Sequence, residues 1–139
     1  MIKIVDQTTT WEEAIELGVD LLVQADIATA QLAQEIIAST KKLGPYYVLL
    51  PKLALAHVMP GPYNKAIGLS LVVFRRPVAF SDQARHEVQL LFTLSALDAD
   101  SHMAKLQTFA TLFANKTLID QAIACPSEAA LYELLKELF

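Results

Sequence analysis

Apolar residues recur at helical spacing near the N-terminus, in strand-like runs through the middle, and at helical spacing again towards the C-terminus. Trp11, Ala14, Ile15, Leu17, Gly18, Leu21 and Leu22 predict one face of a first helix. Thr10 starts it, because Glu13 three positions on completes a capping box. Asp26 falls in the connection to a second helix, predicted from Thr29 to Lys42, with Leu32, Ala33, Ile36 and Ile37 inward. Lys41 and Lys42 occupy its last turn, where the helix dipole favours cations, and Gly44 and Pro45 stop it. Met1 to Val5 reads as a short edge strand.

The middle of the chain changes period. Tyr46 to Leu50 reads as a strand, Pro51 and Lys52 turn the chain, and Leu53 to Val58 reads as the next strand. In that second run Leu53, Leu55 and His57 share one face, and Ala54 and Ala56 the other. Ala66 to Phe74 predicts a buried strand ended by Arg75, Arg76 and Pro77, with a short further strand at Val78 to Phe80. Ser81 to Glu87 is polar and holds His86, read as an ordinary surface histidine. Val88 to Leu97 is the longest apolar strand.

Helical spacing then returns. Asp98, Asp100 or Ser101 can cap a helix whose first turn holds His102 and which runs through Met103, Leu106, Phe109, Ala110 and Phe113 to near Asn115. A short helix follows from Thr117 to Ala124, closed by Pro126. Ser127 caps the last helix, whose predicted buried stripe is Leu131, Leu134, Leu135 and Leu138. Helices, then strands, then helices predict an α/β fold: a three-layer sandwich with a mixed, mainly parallel β-sheet flanked by helices, in one domain spanning residues 1–139. The tight turn after Leu50 requires one antiparallel pair.

Composition narrows the function. Hydrophobic residues make up 54% of the chain, enough for a core without disulfides or a structural metal. A net charge of −4 and the lack of any basic stripe argue against nucleic-acid binding. Cys125, the single cysteine, has no internal partner, which fits a reducing compartment. The N-terminus lacks a signal-peptide pattern, and no apolar run reaches the ~18–20 residues of a membrane span. A cytoplasmic protein without membrane insertion is expected. There is one cysteine, no HxH, HxxxH or HExxH pair, and no GxGxxG, GxxxxGKS or GxSxG, so neither a metal nor a cofactor is expected.

Candidate chemistry gathers at Gly44 to Pro62, GPYYVLLPKLALAHVMPGP, which holds four of the six prolines. His57 closes its second strand, and His102 opens a helix just after another strand. If both strands point the same way, the imidazoles converge at the sheet edge where open α/β sheets bind ligands. A helix N-terminus there favours an anion. A neutral ring nitrogen beside an anion site suits phosphoryl transfer.

These two stretches carry a resemblance. GPYYVLLPKLALAHVMPGP, together with LSALDADSHMAKLQTFATLF, resembles the two active-site motifs of phosphotransferase-system (PTS) enzyme IIA domains of the mannitol/fructose superfamily, and most the ascorbate-specific and cryptic mannitol-type branch. The opening Trp-Glu-Glu-Ala helix and the final Ser-Glu-x-x-Leu helix extend the likeness over nearly the whole chain. The resemblance implies a phosphoryl carrier that accepts from the histidine phosphocarrier protein HPr, holds the group on His57 and passes it to enzyme IIB. It implies His102 as the second active-site histidine. Ser101 backbone N–H and Lys41 are the expected phosphoryl-stabilising groups, and Val58, Met59 and Tyr63 the expected docking rim. No direct sugar binding is implied, for ascorbate- or mannitol/fructose-type uptake, and association with the membrane permease complex is compatible with the resemblance.

Two positions depart from the branch. Ala56 stands where proline commonly precedes the active histidine, and Met59 where arginine commonly follows it. In mannitol-type relatives an arginine before the glycine-rich segment assists the phosphoryl group; here Lys41 and Lys42 are nearest. These departures motivate an alternative, a regulatory or binding module of the same fold that senses phosphorylation state with little turnover.

Overall fold

A computed structural model describes residues 1–139. The elements run β1 (Ile2–Val5), α1 (Trp11–Gln24), α2 (Gln31–Leu43), β2 (Val48–Leu50), β3 (Lys52–Ala56), β4 (Gly68–Ala79), β5 (Glu87–Ser95), α3 (Ala99–Leu112), α4 (Thr117–Ala124) and α5 (Glu128–Leu135). Single 3₁₀ turns at Ala84–His86 and Lys136–Leu138 complete the list.

Five strands form one sheet in the order β1-β4-β5-β3-β2. The β1–β4 and β3–β5 pairs are parallel, and β2–β3 and β4–β5 antiparallel. The sheet is thus mixed as expected, but in equal parts rather than with a parallel majority. The cause is β4, which folds back against β5 as a long antiparallel neighbour, with Gly68 opposite Ser95 and Val73 opposite Leu90.

Strand alternation sorts side chains into two cores. Ala54, Ala56, Val72, Phe74 and Leu91 pack with Ile15, Leu22, Leu32 and Ile36 of α1 and α2. Leu53, Leu55, Leu71, Leu90 and Phe92 pack with Phe109, Ile119, Leu131 and Leu135 of α3 to α5. The sheet is therefore the middle of three layers. Gly18 lets α1 sit close: a Cβ there would lie 2.3 Å from Thr93 Oγ1, and Ser70 Oγ donates to the Gly18 carbonyl at 2.7 Å.

Three expectations change. Arg75, Arg76 and Pro77 do not end a strand: β4 runs through them, with a register shift between Val73 and Val78. Pro77 is tolerated because β1 has already ended, its last pair being Val5 with Phe74. Tyr46 and Tyr47 precede β2 rather than belong to it. Leu134 is 36% exposed, because the buried stripe of α5 and the turn after it is Leu131, Leu135 and Leu138.

Candidate active site

β3 and β5 are neighbours and parallel, so their C-terminal ends lie together. β3 delivers His57 one residue past Ala56, and β5 leads through Ser95 to α3, which delivers His102. The rings meet edge to face with centroids 5.0 Å apart and planes at 76°.

The chemistry of His57 follows from its hydrogen bond. Nδ1 lies 2.6 Å from the Leu55 carbonyl oxygen, an acceptor only, so Nδ1 carries the proton and donates. Nε2 then holds the lone pair. Burial disfavours the charged ring and pushes the pKa below its ordinary 6.5; the Leu55 bond opposes this, and charge on His102 adds to it. His57 is therefore neutral at pH 7, with the lone pair on Nε2.

His102 is 8% exposed, and its Nε2 is buried without a hydrogen-bond partner. An unmade bond of this kind costs about 1–3 kcal/mol. A buried polar group without a partner needs an explanation, and a bound anion would supply the missing contact.

The N-terminus of α3 is less open than expected. Asp98, not Asp100 or Ser101, is its N-cap. Ser101 N–H donates to Asp98 Oδ1 at 2.7 Å, and Ser101 Oγ donates to the Asp98 carbonyl at 3.2 Å. Donation from the Ser101 backbone N–H, and secondarily from its side chain, holds the Asp98 carboxyl below its ordinary value. Ser101 is thus committed to the cap and does not offer a free N–H to a phosphoryl group.

Lys41 and Lys42 are both exposed in the last turn of α2. Ser39 on that helix donates to Tyr46 Oη at 3.3 Å, so its face points to the site. At about 100° per residue, Lys42 shares that face and Lys41 is turned about 200° away. Neither Arg75 nor Arg76 substitutes. Both lie at the other end of β4, where Arg75 donates to the Ile123 and Cys125 carbonyls at 2.6 Å each.

The expected docking residues separate. Met59 is 68% exposed. Val58 and Tyr63 pack against the α1–α2 core, and Tyr63 Oη donates to the Met59 carbonyl at 2.8 Å. Gly61 makes room for that ring, since a Cβ would meet it at 2.7 Å. His86 is far from the site and half-buried, its Nδ1 2.7 Å from Ser81 Oγ.

Two residues were not singled out by sequence. Asn64 accepts from Gly61 N–H at 3.0 Å and donates to Ser95 Oγ at 2.9 Å, tying the loop after His57 to the end of β5. Asparagine in a Pro/Gly loop is the available signal. Tyr46 donates from Oη to the His57 carbonyl at 2.6 Å. A cleft of about 690 Å³ lies elsewhere, between β1, α1 and α2, and contains neither histidine.

The family described as phosphoenolpyruvate-dependent sugar phosphotransferase system, EIIA 2 matches residues 1–138. This chain belongs to that family. EIIA components are phosphotransferase carriers, and this EIIA chain is a phosphoryl carrier of a sugar phosphotransferase system. It is 33% identical to the ascorbate-specific PTS system EIIA component of Escherichia coli K12 over 135 residues, 96% of this chain and 88% of that one. A PTS IIA domain from Streptococcus pyogenes superposes with a TM-score of 0.87 at 34% identity, covering 99% of this EIIA and 88% of that chain. The cryptic mannitol-specific enzyme IIA CmtB of E. coli gives 0.89 at 29%, covering 98% and 92%.

Proposed function

We propose that His57 is the phosphoryl-accepting residue and His102 the group that holds the phosphoryl oxygens. The observation that carries this is the ring pair: one Nε2 bears a lone pair, and the other is buried without a partner, in rings 5.0 Å apart.

His57 Nε2 attacks the phosphorus of a phosphohistidine on HPr. The donor N–P bond breaks as the new one forms, and the donor ring leaves with its electron pair. The His57 ring gains positive character while Nδ1 keeps its proton. The Leu55 carbonyl, already accepting from Nδ1–H, stabilises that charge with no rearrangement. His102 donates from Nε2–H to a phosphoryl oxygen and so gains its missing bond. Transfer onward reverses these steps, with enzyme IIB as acceptor. Ser101 acts through the α3 cap, and Lys42 rather than Lys41 supplies the nearer charge.

Val58, Met59 and Tyr63 form part of the docking rim, with Met59 the exposed contact. IIB as partner is supported by the family and by the fold shared with the E. coli mannitol enzyme IIA solved with phosphorylated IIB, a likeness of TM-score 0.82 at 18% identity. The ascorbate-specific relatives support ascorbate as the transported substrate to try first. The protein works in the cytoplasm, as one domain, without binding the sugar.

Phosphoenolpyruvate, enzyme I and HPr should load one acid-labile phosphoryl group per chain, which cognate IIB then removes. Loading without transfer to any IIB tried would favour the regulatory reading. No loading would overturn the carrier reading.

A further inference from the structure

We infer that Tyr46 is a positioning residue for His57; this rests on the phosphoacceptor role of His57. The Tyr46–Tyr47 dipeptide grips the end of β3 at two points. The Tyr47 carbonyl accepts from Leu55 N–H at 3.0 Å, and Tyr46 Oη donates to the His57 carbonyl at 2.6 Å. The Nδ1–H bond that sets the tautomer spans the interval between these grips, from His57 back to the Leu55 carbonyl.

Each grip is anchored. Tyr47 is fully buried, and its Oη lies 2.6 Å from Thr40 Oγ1 in the core. Tyr46 Oη has one proton, which goes to the His57 carbonyl; its lone pair accepts from Ser39 on α2. The Tyr46 ring also stands edge to face against the imidazole, centroids 5.7 Å apart at 87°.

This bond fills a gap in the sheet. The β2–β3 ladder pairs Leu50 with Leu53 and Val48 with Ala54, and then ends. Past Leu55 no β2 residue holds His57 in place, and the residues after it form a loop. The Tyr46 hydroxyl replaces the missing ladder bond with a side-chain bond. It holds the His57 backbone so that Nδ1–H reaches Leu55 and the ring stays beside His102. The effect on rate comes through geometry, since small misplacements of a reacting atom are costly.

Tyr46→Phe tests this, because it removes the hydroxyl and keeps the ring. Long-range ¹H–¹⁵N NMR of the unphosphorylated protein should show one Nδ1–H tautomer for wild-type His57 and a tautomer mixture for Y46F. The maximal rate of phosphoryl acceptance should fall about tenfold with KM for HPr unchanged. An unchanged tautomer and rate, or a change in KM alone, would overturn the inference. If Y46F does not fold, Ser39→Ala disturbs the same chain from its other end; it should shift the tautomer in the same direction, and no shift counts against Tyr46. Because the NMR measurement needs no phosphorylation, it decides the role of Tyr46 even if His57 proves not to be the acceptor.

Discussion

His57 and His102 stand edge to face, 5.0 Å between ring centroids, although one closes a strand and the other sits in the first turns of a helix. The relationship depends on the parallel pairing of β3 with β5, which brings both strand ends to one edge. The proposed function gives each ring a different task, one as nucleophile and one as donor.

Replacing His102 should separate those tasks. His102→Ala keeps the His57 nucleophile, so phosphoryl acceptance persists. It loses a donor to the transferring oxygens, a contribution of order a hundredfold to a thousandfold in similar sites. Rapid-quench measurement of acceptance and of transfer to IIB checks this. A variant as fast as wild type in both steps would remove His102 from the site.

The depressed His57 pKa sets the pH dependence. Acceptance needs the neutral ring, so its acid limb should lie below pH 6.5, the ordinary histidine value. Stability carries the same signature. Between the folded pKa and 6.5 the unfolded chain binds the proton more readily, so stability rises with pH across that window and is lost as pH falls through it. In His57→Gln this component of the pH dependence should vanish. Denaturant titrations of both proteins at pH 5 to 8 check it, and identical profiles would contradict the buried neutral ring.

Gly18→Ala should destabilise the fold by about 1–3 kcal/mol. The new methyl would sit 2.3 Å from Thr93 Oγ1, on a fully buried side chain of the central strand β5. Urea unfolding measures the cost. A neutral result would show that α1 can lift from the sheet.

Ser101→Ala should cost about 0.5–1 kcal/mol through the α3 capping box while leaving the chemistry of His57 in place. A loss of acceptance beyond tenfold in folded protein would restore Ser101 as a direct phosphoryl contact.

Much of the site was legible from periodicity. The alternation put His57 on the face shared by Leu53 and Leu55, and those two leucines pack in the core under α3 to α5. The α4 helix from Thr117 to Ala124 and the Ser127 cap were equally plain. The remaining features depended on contacts between distant residues. Arg75-Arg76-Pro77 looks like a strand end locally, yet β4 survives it because β1 has stopped alongside. Asp98, Asp100 and Ser101 are all good caps by type, and only the backbone geometry selects Asp98. Lys41 and Lys42 are equivalent in sequence but face different ways once Ser39 is seen to reach Tyr46. Tyr46 read as a strand residue because it is aromatic, while its hydroxyl bond to His57 belongs to a turn.

The central claim is that Nε2 of His57 carries the phosphoryl group while Nδ1 keeps its proton on the Leu55 carbonyl. A ³¹P–¹⁵N correlation on the phosphorylated, ¹⁵N-histidine-labelled protein tests it directly. A phosphorus coupling to His57 Nε2, absent in His57→Gln, is the expected result. Coupling to Nδ1, or a phosphoryl signal that persists on folded His57→Gln protein, would contradict it.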